Sequence, residues 1–258
     1  MNPIKKVILG LLIAYCPIQA NDDFIVIALG ESCGATAALE AFDLKKASYP
    51  FEWCISEFEH LYNSLKNDFH DFTNPLYFTP YVDNRSLVNK YGIVFAHDFP
   101  IVSIGKNETG EEKFVLTPNW QEKLPAMQAK YQRRIDRFHA ACTSGKKVYF
   151  VRFLGILPEW ADRLPRLLTT LYPDLDFTLV YVRVAPPHLG TWNINKTKNY
   201  YIDTTIPLTD IEQWKNIFLS AGIIAPERSW DIRKIQKKYK KNLCGQCSYC
   251  KDFSKRTR

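Results

Sequence analysis

Glycine and proline are scarce, together only 26 of 258 residues, while 46% of the chain is hydrophobic and 24% charged. Neither a disordered nor a fibrous chain fits that composition. After the apolar run at the amino end there is no second transmembrane candidate, and no internal repeat. A general basic excess is also missing. The net charge is +7, yet residues 233–258 hold ten Lys/Arg against one Asp, leaving 24 basic and 26 acidic residues before them. A body so close to neutral argues against a nucleic-acid groove across the fold.

The two ends differ from the body. Lys5 and Lys6 precede an almost wholly apolar stretch from Val7 to Tyr15, and Gln19-Ala20 puts a small residue before Asn21-Asp22-Asp23. That is the layout of a signal peptide over residues 1–20. The expectation is a secreted or periplasmic protein, with a membrane anchor as the alternative. Residues 21–240 then form one domain and 241–258 a Cys-rich basic tail.

An oxidising compartment lets thiols pair. Six cysteines remain after cleavage: Cys33, Cys54, Cys142, Cys244, Cys247 and Cys250. The last three form Cys-x-x-Cys-x-x-Cys, but a structural zinc wants four ligands and no His or Cys follows Cys250. A local disulfide, a zinc site borrowing a distant ligand and free thiols stay open. Lys237, Lys238, Lys240 and Lys241 suit either contact with an anionic surface or a solvated helix end.

Phe24 to Leu29 (FIVIAL) is a short continuous apolar run ended by Gly30, which predicts a buried strand. Ala35, Ala38, Leu39 and Phe42 follow at helical spacing, so a helix comes at once. Ser56 with Glu59 reads as a capping box before Phe58, Leu61, Tyr62 and Leu65. Gly92 to Ala96 reads as a second buried strand, and Leu124 to Phe138 as a long helix ending near Gly145. Val148 to Phe153 and Phe177 to Val184 predict strands around a helix over Pro158 to Tyr172. Tyr200 to Ile206 completes the strands, with helices over Ile211 to Ala221 and Ile232 to Tyr239. Such alternation predicts an α/β domain in three layers, with a mostly parallel central sheet flanked by helices.

In such folds ligands lie at the carboxyl ends of strands. The first strand exits into Gly30-Glu31-Ser32-Cys33-Gly34, the second into His97-Asp98, and the next reaches Arg152. Cys33 falls at the start of a helix, where unpaired N–H groups and the dipole favour a thiolate and can hold an oxyanion. His97 is the candidate base, Asp98 or Glu52 the carboxylate that orients it, and Asp203 a rival. Gly30, Ser32 and Gly34 would line the substrate site, with Arg152 for an anionic group. Arg133 and Arg134 predict one exposed and one paired arginine. The plainer readings are a small packing cysteine, a histidine satisfied by backbone and a capping aspartate. His60, His70 and His139 have no metal spacing, so neither a body metal nor a cofactor is expected.

The motifs ALGESCGATAAL (28–39 region), SYPFEW (48–53), NDFHDF (67–72), YGIVFAHDF (91–99) and YQRRIDRF followed by KKVYFVR (131–152) occur in order. On these the chain resembles a largely bacterial family of unknown function labelled papain-like cysteine peptidases, over roughly residues 24 to 185. Glu52 stands where relatives more often have Asp. The resemblance implies a nucleophile at Cys33, a base at His97 and a peptide or other small acyl substrate. It also implies a papain-like α+β fold, against the parallel sheet that the periodicity favours. Gly30-Glu31-Ser32 is similar to the opening block of GDSL-type serine esterases, which would make Ser32 the nucleophile. Those enzymes want a histidine near the carboxyl end, and none follows His188, itself a rival base beside Pro186 and Pro187. A non-enzymatic secreted binding module, with Cys33 structural, is the contrasting class.

Overall fold

The computed structural model describes residues 24–81, 84–108, 110, 112–153, 160–184, 190, 192–203, 211–226 and 229–242. The expected signal segment, the expected cysteine tail from residue 243 onward and His188 lie outside them. The strands are β1 (Phe24–Ala28), β2 (Thr79–Pro80), β3 (Leu87–Val88), β4 (Val94–Phe95), β5 (Ile101–Lys106), β6 (Glu112–Leu116), β7 (Lys147–Phe153), β8 (Phe177–Val184) and β9 (Thr197–Ile202). The α-helices are α1 (Cys33–Ala41), α2 (Phe58–Lys66), α3 (Leu124–Cys142), α4 (Arg163–Leu171), α5 (Ile211–Ala221) and α6 (Ile232–Asn242).

Four strands form the central sheet in the order β1-β7-β8-β9, every pair parallel. The apolar runs of β1, β7 and β8 are continuous because both faces are covered. Ile27, Leu29, Val148, Phe150, Leu179 and Tyr181 pack on one side with α2, α3 and α4. Val26, Ala28, Tyr149, Val151, Val180 and Val182 pack on the other with α1, α5 and α6. Successive side chains of one strand therefore enter different cores, as the pleat requires. This is the three-layer α/β arrangement, and the papain-like α+β alternative gives way to it.

Three local expectations change. Gly92 to Ala96 does not join the central sheet: Val94–Phe95 lies in a small antiparallel sheet ordered β2-β3-β4, and Val94 bridges Ile55. A short apolar run signals burial without naming its partner. The last strand is Thr197–Ile202, a few residues earlier than expected. Ser56 does not cap α2, whose N-cap is Glu57 with no side-chain cap bond. The Ser56 hydroxyl instead accepts from the Glu31 N–H at 3.0 Å, across 25 residues of chain.

The turn after β1 is the tightest junction of the fold. Gly30 has φ +74°, and a Cβ there would lie 2.5 Å from Ser56 Oγ and 3.0 Å from the Phe51 carbonyl oxygen. Both the conformation and the space require glycine. Gly30→Ala is expected to lower unfolding stability by about 1–3 kcal/mol, from left-handed strain with a steric clash. Urea titration measures it; an unchanged midpoint would show that the turn can relax.

Candidate functional site

Cys33 is the first helical residue of α1, at the carboxyl end of β1. Gly30 and Glu31 are consecutive left-handed residues, with φ of 74° and 67°. For glutamate that conformation is costly, and such strain concentrates where geometry serves a function. Ser32 is the N-cap, its Oγ accepting from the Gly34 N–H at 3.3 Å. The Gly34 N–H, expected to help hold an oxyanion, is therefore engaged as part of the cap. Gly34 also has a packing reason to be glycine, since a Cβ there would lie 2.6 Å from Phe153 Cδ1.

Arg152, expected to meet a substrate anion, is fully enclosed. Its side chain is 0% exposed, and it donates to the Leu29 and Ser56 carbonyl oxygens at 2.8 Å each. It also pairs with Glu31 Oε2 at 2.9 Å. A buried guanidinium needs this satisfaction because desolvating an unpaired charge costs several kcal/mol. Burial outweighs Arg152's attraction and pushes the Glu31 carboxyl up to about 7. Sequence reasoning named Glu31 only as part of the turn. Its signal is a carboxylate placed between the end of a buried strand and a helix cap.

Glu52 lies in the neighbouring turn and is also 0% exposed, with Oε2 3.1 Å from Lys45 Nζ. Burial pushes it up to about 7 as well, with Lys45 opposing. Lys45 also reaches Glu40 Oε1 at 2.5 Å and stands 5.8 Å from the centre of the Trp53 ring. The Trp53 ring meets that of the exposed His97 edge to face at 5.9 Å. The turn carrying Glu52 and Trp53 thus touches the Gly30–Glu31 turn through Phe51 and Ser56 and the His97 ring through Trp53.

Asp98 turns elsewhere. Its carboxylate pairs with Lys130 and accepts from the Tyr131 hydroxyl at 2.9 Å. Cys54 Sγ lies 3.2 Å from that hydroxyl, so a buried chain runs Cys54 to Tyr131 to Asp98. Asp203 donates its backbone N–H to Gln213 Oε1. Arg133 is exposed, whereas Arg134 is buried, donating to the Glu52 carbonyl oxygen and lying 5.0 Å from the Tyr131 ring centre. Among the described residues no group of three potential metal ligands converges.

The described sulfurs fall into two kinds. Cys54 and Cys142 are free and buried, and burial pushes each thiol up to about 12. Neither yields appreciable thiolate at neutral pH. Cys33 is disulfide-bonded and 4% exposed. The free thiol anticipated from sequence is thus held in oxidised form.

A family model described as "Putative papain-like cysteine peptidase" matches residues 24–185. An uncharacterised protein, R408, of Acanthamoeba polyphaga mimivirus is 30% identical over 152 residues, covering 51% of this chain and 62% of that one. The chain thus spans less than two thirds of that relative's length, and the bacterial label of the expected family finds no support in a viral relative. No solved structure matches.

The two enclosed carboxyls give the site a pH signature. An acid whose folded pKa is raised releases its proton later in the folded than in the unfolded state, so stability falls as pH rises between the two values. Unfolding free energy should decline from about pH 4.5 to about pH 7, by at most ~1.4 kcal/mol per pH unit for each of Glu31 and Glu52. Glu31→Gln and Glu52→Gln should each flatten the slope in urea titrations across that range. A slope unchanged in both variants would mean that these carboxyls titrate normally.

Proposed function

We propose, from the premise that this chain belongs to the family described as "Putative papain-like cysteine peptidase" over residues 24–185, that it is a cysteine-dependent hydrolase or acyl transferase acting on an amide or ester. Cys33 is the nucleophile, and the reaction belongs to the form in which its disulfide has been reduced. The observation that carries this reading is the strained turn delivering Cys33 to the first position of α1 at the carboxyl edge of a parallel sheet. The positive end of a helix favours thiolate over thiol, and burial silences Cys54 and Cys142.

The chemistry follows from those placements. The Cys33 thiolate forms a bond to the carbonyl carbon while the carbonyl π electrons move to oxygen. That oxyanion lies at the positive end of α1, with the Gly34 N–H already committed to Ser32. His97 takes the Cys33 proton and gives it to the leaving amine or alcohol as the tetrahedral intermediate collapses. Water, deprotonated by His97, then releases the acid and restores the thiolate. Because Asp98 is held by Lys130 and Tyr131, the orienting carboxylate comes from the Glu52 turn, whose Trp53 lies against the His97 ring.

After reduction, iodoacetamide at pH 7 should label Cys33 well before Cys54 or Cys142. Cys33→Ser should abolish turnover of a small activated ester, and His97→Ala should lower kcat/KM about 10²- to 10⁴-fold, the usual contribution of a general base. Full hydrolysis by the Cys33 variant would end the proposal. Equal thiol reactivity with no turnover would favour a binding module.

A further inference from the structure

Helix α6 carries a charge pattern that its own stability does not account for. It holds Arg233, Lys234, Lys237, Lys238, Lys240 and Lys241, and no acidic residue. Lys240 and Lys241 in the last turn suit the negative pole of the helix, but Arg233 and Lys234 stand in the first turn, at the positive pole. Arg233 with Lys237, and Lys237 with Lys241, are like charges four residues apart, which weakens the helix further.

Packing gathers these cations on one face. Ile235 and Tyr239 are buried in the core shared with α1 and α5. At about 100° per residue, Arg233, Lys234, Lys237, Lys240 and Lys241 fall within an arc of about 120° whose centre lies opposite that buried pair. All five are exposed, and along the axis they extend about 12 Å. Among the described residues none of the five has a carboxylate partner, whereas Lys45, Lys90, Lys130, Lys147 and Lys215 each have one. Lys238, at the flank, pairs with Asp43 at 2.5 Å. The uncharged polar side chains of α6 turn back into the fold. Gln236 Oε1 accepts from the Ile211 N–H at 3.0 Å, Asn242 donates to Glu40 at 3.1 Å, and the Tyr239 hydroxyl accepts from Trp214 Nε1 at 3.1 Å.

We propose that the outer face of α6 is a docking ridge for an anionic lipid bilayer, holding the protein at the headgroups by charge alone. The ridge offers cations without amides to read base edges and without an exposed aromatic ring to stack on bases, so it lacks the means of nucleic-acid readout. Its apolar side is already buried in the core, so it lies on the headgroups and does not insert. A straight, convex line of unpaired cations on an otherwise nearly neutral body complements a flat anionic plane. The headgroups supply the counter-charges that α6 itself lacks, and each cation brought near them strengthens binding roughly five-fold. The ridge is independent of the chemistry at Cys33.

Co-sedimentation of the full chain with lipid vesicles tests the ridge. The chain should bind phosphatidylcholine vesicles carrying about one-third phosphatidylserine, and about 1 M salt, where the screening length falls to about 3 Å, should release it. A Lys237→Gln, Lys240→Gln, Lys241→Gln triple variant should lose on the order of 100-fold in affinity. A Lys66→Gln, Lys106→Gln, Lys113→Gln triple variant removes the same charge from α2 and from the β5–β6 hairpin, elements that pack on the opposite core. It should bind within about two-fold of the unaltered chain, because charges farther off than a Debye length are screened. All six side chains are exposed, and an unshifted urea midpoint in each variant shows that folding is intact. Equal losses in the two variants would mean that net charge alone is read, and would overturn the ridge. Equal binding to pure phosphatidylcholine vesicles overturns it as well. A short DNA duplex that binds through the same three lysines more tightly than the vesicles would assign the face to nucleic acid and end the membrane reading.

Discussion

The guanidinium of Arg152 is the constraint on which the region around Cys33 depends. It sits on the next strand inward from β1, entirely enclosed, and its donors reach three separate pieces of chain: the end of β1 at Leu29, the following turn at Glu31, and Ser56. Removing such a cation would leave two buried carbonyl oxygens and a carboxylate to be satisfied by other means, a cost on the order of 3–5 kcal/mol for breaking a buried pair. Each bond also fixes geometry. Ser56 is held from both sides, its carbonyl by Arg152 and its hydroxyl by the Glu31 N–H. The turn that starts α1 and the turn that carries Glu52 and Trp53 are consequently tied together by hydrogen bonds, although α1 separates them along the chain.

Around that junction the fold brings left-handed backbone and enclosed carboxyls together. Glu31 and Trp53 occupy left-handed conformations, and Glu31 and Glu52 are carboxylates held mostly away from water, Glu31 opposed by Arg152 and Glu52 by Lys45 and more weakly by Arg134. The compensation differs in kind. Arg152 spreads its donors over backbone and carboxylate, so Glu31 is one of several partners, whereas Lys45 divides one ammonium between Glu40 and Glu52. In both cases burial prevails over attraction and favours the protonated acid. Left-handed backbone also occurs elsewhere, at the core residue Phe69 for one, so what distinguishes this edge of the sheet is the pairing of such strain with two perturbed carboxyls.

Much of the architecture was legible because the strands of a doubly covered parallel sheet are unusually plain in sequence. FIVIAL, VYFVRF and FTLVYVRV are continuous apolar runs, and each became a strand of that sheet, which no resemblance to a papain-like fold would have suggested. Gly92 to Ala96 carries the same local signal and joins a different sheet, since burial alone does not specify a pairing partner. The Ser56–Glu59 spacing was misleading for a related reason: the hydroxyl has a choice of donors, and the N–H of Glu31 wins through a contact that exists only after folding. Arg152 could be placed at a strand end from sequence, but its enclosure depends on Leu29 and Ser56 converging on it from far along the chain. Cys33 was found because its signal is local, a small-residue turn between strand and helix. Its oxidation was not, since that depends on another segment of chain.

A chain with several cysteines needs a way to make one of them different, and here the distinction is made by opposite uses of the same physics. Cys54 is surrounded by Tyr131 and Pro50, with Sγ 3.7 Å from the Pro50 carbonyl oxygen, and Tyr131 passes its own proton toward Asp98. The negative charge of Asp98 reinforces desolvation in disfavouring a second anion there. Cys142, at the carboxyl end of α3, faces the negative pole of a helix as well as burial. Cys33 stands at the opposite pole, where aligned N–H groups attract negative charge. Cys33 and Cys142 are alike in burial and differ in the helix pole at which they stand, and the charge of Asp98 adds to burial only at Cys54.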